Sequence, residues 1–194
     1  MKRFLPAVAA LVFAAGVASA QTWKSDPAHS RVSFGVTYMM LSEVTGRFND
    51  FDATLEQGKD DFSESKVTAT IQTKSIDTDN ESRDKHLRSD DFFNAEKYPT
   101  ITFVSTSFLK TGEKNYRITG NLTMRDVTKE VMLEAVYMGM ITDPRGNTRA
   151  GFKATGSVNR QEFGVRWNKS LDSGGVIAGD VVDITLLFQF IKQK

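Results

Sequence analysis

The chain has no cysteine and only two histidines, His29 and His86, among its 194 residues. Without thiols, cysteine nucleophiles, thiolate metal sites and disulfides are excluded, and stability has to come from a packed core. The histidines stand far apart, and neither belongs to a His-x-x-x-His or Glu-x-x-His element. That leaves no ligand set for a metal. Asp26, His29 and Ser30 supply the residue types of a hydrolytic triad, yet three groups so close together at the entry to a strand cannot line up as nucleophile, base and orienter. His29 reads instead as a structural hydrogen-bonding residue at a barrel mouth. There is neither a G-x-S-x-G elbow nor a phosphate-binding loop. No catalytic residue, cofactor or metal is expected, and the chain reads as a non-enzyme.

Charge of one sign is also missing. The 25 lysines and arginines face 24 acidic side chains, and without Lys2 and Arg3 the balance is 23 to 24. A chain so nearly neutral has no basic footprint for nucleic acid. Nor does it hold an apolar run long enough to span a bilayer. The stretch Leu5 to Val17 follows Lys2 and Arg3 and precedes Ala18-Ser19-Ala20, the pattern of a cleaved export signal. Residues 1–20 are therefore expected to be a signal peptide cut after Ala20, with residues 21–194 forming one exported domain. No linker, repeat or low-complexity tract divides that domain.

What is abundant is alternation. Val182, Ile184, Leu186, Phe188 and Phe190 occupy every second position, with Asp183, Thr185 and Gln189 between them, which marks a strand with one buried face. The same period appears at Val32 to Tyr38, at Val44 to Phe48 with a parity shift to Phe51, Ala53 and Leu55, and at Val67 to Ile71. It returns at Ile101 to Phe103, Tyr116 to Met124, Val131 to Tyr137 and Ala150 to Val158. A parity shift inside a strand predicts a bulge or bend. Residues 111–115 and 143–147 are short and turn-rich, as hairpin links are. Eight antiparallel strands close most economically into an up-and-down barrel. Gly46, Gly120 and Gly156 are expected to bend its strands. One short helix is predicted near 79–89, with Thr78 and Glu81 at capping-box spacing and Leu87 as its only large apolar side chain, so that it caps the barrel from the surface.

The inner face mixes large groups such as Phe34, Phe48, Phe103, Phe152 and Phe188 with small ones such as Ala69, Ala135 and Ala154. On the residues alone, this mixture suits a solid core as well as a channel. Met39-Met40-Leu41 and Met138-Gly139-Met140 read as flexible apolar lining in preference to sulfur ligands. Phe163 to Trp167 breaks the alternation, as a loop or lid over the barrel end would.

Longer motifs carry a family signature. They are Asp26-Pro27-Ala28-His29-Ser30 before Val32 and Phe34, Thr45-Gly46-Arg47-Phe48, and Arg83-Asp84-Lys85-His86-Leu87-Arg88-Ser89-Asp90-Asp91-Phe92-Phe93 followed by Tyr98 to Phe103. Further on stand Thr119-Gly120-Asn121-Leu122-Thr123 with Val127-Thr128-Lys129, and Asn159-Arg160-Gln161-Glu162-Phe163-Gly164. In this order they resemble the YceI-like family of periplasmic polyisoprenoid-binding proteins. The resemblance implies a lipocalin-like, eight-stranded antiparallel barrel whose apolar channel holds an isoprenoid or other long-chain lipid. A membrane protein is the expected partner, as donor or acceptor of that lipid. The channel is then expected to be lined by Phe34, Val36, Tyr38, Phe48, Phe103, Ile118, Leu133, Phe152, Leu186 and Phe188. Arg83, Arg160 and Arg166 are the expected head-group contacts. A different reading is a non-enzymatic interaction module for a membrane redox or stress-response protein, in which bound lipid is incidental.

Overall fold

In the computed structural model, which describes residues 20–194 apart from Ser173, nearly every alternating run is a strand. The expected leader lies outside the described residues, except for its last residue. The strands are β1 (Gln21–Ser25), β2 (Arg31–Tyr38), β3 (Ser42–Phe48), β4 (Phe51–Gln57), β5 (Lys66–Gln72), β6 (Ile76–Asp77), β7 (Thr100–Lys110), β8 (Asn115–Met124), β9 (Val127–Thr142), β10 (Thr148–Asn159) and β11 (Ala178–Lys192), with helix α1 (Glu81–Arg88) between β6 and β7. All pairings between strands are antiparallel. The order β1-β4-β5-β7-β8-β9-β10-β11 returns to β1 through Trp23↔Lys192 and its neighbours, so eight strands close a ring.

The remaining three segments explain the shape. β2, β3 and β6 continue β1, β4 and β5 beyond bends, and pair in the order β11-β2-β3-β6. The bend between β3 and β4 falls at Asn49 and Asp50, where the apolar parity shifts. A strand that changes its inward set must turn, because side chains alternate faces. Long β11 holds both halves together, pairing β1 with its last residues and β2 with its first. β6 ends the order on its side, and there Leu87 of α1 and Phe93 pack against the buried cluster that contains Phe48, Ile76 and Ile101.

One local expectation is corrected. The helix cap is Asn80, whose side-chain oxygen accepts the Arg83 N–H at 3.0 Å. Thr78 is instead buried, and its hydroxyl and N–H both reach Asp84 Oδ1, at 2.6 and 2.9 Å. The strand glycines make room for inward rings: a Cβ at Gly46 would lie 2.4 Å from Phe34 Cζ, and one at Gly120 2.4 Å from Phe103 Cζ. These are close approaches of side chain to backbone, the other standard reason for glycine in a strand.

Candidate functional site

The interior is not uniform along its axis. At one end Trp23, Phe62 and Tyr116 are almost wholly buried and pack with Phe108, Phe152 and Phe190. Phe62 reaches this cluster from the β4–β5 loop, its ring 5.4 Å from Trp23 and 5.3 Å from Phe152. The polar edges of the plug are satisfied: Trp23 Nε1 donates to Gln57 at 3.0 Å, and the Tyr116 hydroxyl donates to the Asp61 carbonyl at 2.5 Å. Burial pushes the Tyr116 phenol above its ordinary value. Aromatic edge-to-face contacts of this kind close the end firmly.

Beyond the plug the barrel is hollow. The cavity has a volume of about 870 Å³, near the top of the range for small-molecule sites. Room comes from small side chains on adjacent strands: Ala135 and Ala154 face each other across β9 and β10, and Ala53 faces Ala69 across β4 and β5. On β11 the wall includes Val182, Ile184, Leu186, Phe188 and Phe190, a run of roughly 26 Å at 3.3 Å per residue. All ten side chains expected in the channel line it. Phe188 is held edge-on by Phe51 at 5.6 Å and stacked on Phe190 at 5.4 Å.

The wall is mostly hydrocarbon, and apart from Ser33 on β2 and Asp52 on β4 most of its polar groups gather toward α1 and the chain around residue 169. Thr78, Asn80, Ser82, Arg83, His86 and Lys169 reach it there, beside Tyr38, Val44, Trp167 and Ile177. This polar end, away from the aromatic plug, is the candidate mouth. His86 forms its polar corner, with Nε2 2.8 Å from Asp91 Oδ2 and the ring edge-on to Phe92 and Trp167 at 5.0 and 5.1 Å. His29, expected at a mouth, ends a short 3-10 turn between β1 and β2 and is not part of the wall, with Nδ1 2.9 Å from Asp26 Oδ2.

The three expected arginines part company. Arg83 lines the mouth, tied through Nε to the Thr78 hydroxyl and through Nη2 to the Thr78 carbonyl, both at 2.8 Å. Arg160 also touches the wall but is 5% exposed, and its guanidinium donates to the carbonyls of Gly179, Val165 and Trp167 at 2.8 Å and of Ala178 at 3.2 Å. With its donors so engaged it is a structural bracket, and burial lowers its pKa from the ordinary value. Arg166 is exposed and not part of the wall. The cation that the periodicity did not reveal is Lys169, whose ammonium has no acidic partner among the described residues. It follows the break in alternation after Phe163, where no sequence period points to an interior.

The methionine runs are a further correction. None of Met39, Met40, Met138 and Met140 is in the wall, and Met40, Met138 and Met140 are exposed. Among the described residues no three His, Cys, Asp or Glu stand together as metal ligands.

Comparison with known proteins places this geometry. The YceI-like domain model matches residues 23–190. Protein YceI of Escherichia coli O157:H7 is 41% identical over 188 residues, covering 96% of this chain and 95% of the relative. Among solved structures, BcnA of Burkholderia cenocepacia has a TM-score of 0.74 at 24% identity, covering 85% of this chain and 98% of its own. A polyisoprenoid binding domain from Saccharophagus degradans, implicated in plant cell wall breakdown, has a TM-score of 0.64 at 12% identity, with coverage of 88% and 98%. The two structures share the barrel fold.

Proposed function

The chain belongs to the YceI-like family, and from that premise we propose that it is a binding protein that takes the hydrocarbon tail of an isoprenoid or similar long-chain lipid into its barrel, without turnover. The observation that carries this reading is the cavity of about 870 Å³ with an apolar wall and one closed end. A polyisoprenoid is also what one barrel of the same fold is named for binding.

Size and energy agree. At about 30 Å³ per heavy atom, the share of one liquid water, the cavity takes on the order of thirty carbons, or six isoprene units. Each buried methylene contributes about 0.8 kcal/mol, so six five-carbon units give roughly 24 kcal/mol gross against an association cost of about 4–15 kcal/mol. A single unit would not hold. Arg83 and Lys169 at the mouth suit a head group with anionic oxygens, since each offers charged donors there. The export pattern in Lys2 to Ala20 supports a periplasmic carrier, working between a membrane donor and an acceptor.

Organic extraction of protein purified from periplasm without detergent, followed by mass spectrometry, tests this. A long-chain species in near-stoichiometric amount is expected. Protein that is folded, empty and unable to take up added polyprenol would sink the reading and return the interaction module to first place.

A further inference from the structure

The rim of the cavity carries an apolar projection that lipid storage does not require. Tyr38 to Leu41 is a tight turn closing the β2–β3 hairpin, with the Leu41 N–H donating to the Tyr38 carbonyl at 3.1 Å. Leu41 is 90% exposed and Met40 68%, and Val176 on the facing chain is 36% exposed. The two central residues, Met39 and Met40, have φ of 49° and 59°, the signs of a type I′ turn, where asparagine and glycine are preferred. Two methionines held in the left-handed region point to a use for apolar side chains at this spot.

The projection is braced where it stands. Met39 N–H donates to the Ile177 carbonyl at 2.7 Å, and Tyr38 pairs with Ala178 across β2 and β11. Met40 packs over Gly175, where an added Cβ would lie 2.5 Å from its sulfur and where φ is 97°. Tyr38, Val44 and Ile177 belong to the cavity wall itself, so the exposed apolar tip runs without interruption into the interior. On the same rim stand Arg83 and Lys169, with no acidic partner among the described residues. The nearest hairpin acid, Glu43, folds back over Gly35 on β2, away from the tip.

We propose that the Tyr38–Leu41 turn, with Val176 beside it, is a membrane-docking rim that seats the barrel mouth on a bilayer surface bearing anionic phosphate head groups. Met40 and Leu41 enter the acyl boundary while Arg83 and Lys169 meet the phosphates, the division of labour seen in interfacial membrane anchors. A tail then passes from bilayer to barrel along Tyr38 and Ile177 without crossing water. The direction of that transfer rests on the lipid-binding reading; the docking itself does not.

Cosedimentation of the purified protein with vesicles of phosphatidylcholine, with and without phosphatidylglycerol, tests the docking. Wild type should bind, and more tightly with phosphatidylglycerol. Met40→Asp with Leu41→Asp should weaken binding at least about tenfold, because two inserted apolar side chains are lost, yet still take up a short polyprenol supplied in solution, since neither residue lines the cavity. Lys169→Gln should shrink the preference for the anionic vesicles. Wild type that stays in the supernatant, or a double variant that binds like wild type, overturns the proposal. So does sedimentation velocity in which wild type is a dimer and the Met40→Asp, Leu41→Asp variant a monomer, which would give the tips to a second copy of the chain. Vesicle binding by a wild type that takes up no polyprenol would leave docking in place and remove the lipid-binding reading alone.

Discussion

Arg160 shows how much a single residue can hold. It lies just beyond β10, and its guanidinium gathers carbonyls from Val165, Trp167, Ala178 and Gly179, fastening the chain that carries Trp167 and Lys169 to the start of β11. Removing it strands several acceptors in a buried setting, where each lost charged hydrogen bond costs about 1.5–3 kcal/mol. Arg160→Leu should therefore lower unfolding free energy by at least about 3 kcal/mol in urea, and Arg160→Lys should recover little, because a point charge cannot reproduce the planar fork. An opposite case is β11, where parity decides everything. Phe188→Asp should abolish lipid uptake and destabilise the fold, since a carboxylate would enter an apolar interior, while Gln189→Glu should do little, facing Arg149 at 2.7 Å from its Nη1. Comparable effects at the two positions, by uptake and thermal melts, would contradict the inward assignment. The parity of these neighbours is plain in the sequence. Arg160's role is not, because a basic residue in a loop looks the same whether it meets a ligand or its own backbone.

Between elements, the outer surface is tied by a clamp at the bend between β1 and β2. Arg149 of β10 reaches Asp26 through Nη1 at 2.6 Å and Asp143 through Nε at 2.7 Å, and Asp143 also accepts the N–H groups of Arg145 and Asn147. The guanidinium beside them holds both carboxyls below the usual range. A carboxyl whose pKa is depressed by folding stabilises the fold fully above its ordinary pKa of 3.8 and ceases to do so as pH falls through the depressed value. The melting temperature should thus hold from neutral pH to about pH 5 and fall steeply in stronger acid. Asp143→Asn should lower it at neutral pH and flatten that acid slope, measured by calorimetry. Elements differ in how legible they are. β11 and β10 announce themselves over many alternating residues, and the β3–β4 bend through its parity shift. β1 does not, because Trp23 is its only large apolar side chain, and β7 is legible only to Phe103, since a bulge between Ser105 and Ser107 flips the parity before Phe108.

As a whole molecule the barrel is a hollow core with one plugged end, so its stability should depend on what fills it. Ligand that binds only the folded state raises stability as RT ln(1 + [L]/Kd), about 2.7 kcal/mol at a hundredfold excess over Kd. Delipidated protein should accordingly melt at a lower temperature than native protein and recover on adding polyprenol in a concentration-dependent way. Ala135→Phe, which places a ring opposite Ala154 in the cavity, should reduce both the uptake and this thermal shift. A thermal shift undiminished by the filled cavity would place the ligand elsewhere.

The sequence by itself determined the strands that alternate, their inward faces and the hairpin order, because period two is a local property that each run displays on its own; the ring's closure through β1, a strand without that period, came from the tertiary pairing of β1 with β11. It also determined what the chain cannot do with thiols or clustered histidines. Only the tertiary structure decided that the interior is open, which end is plugged, and which cations stand at the mouth. Those depend on facing pairs such as Ala135 with Ala154, on Phe62 arriving from a loop, and on whether an arginine turns toward the cavity, as Arg83 does, or toward carbonyls of its own chain, as Arg160 does. Such distances between residues remote in the chain leave no period to read.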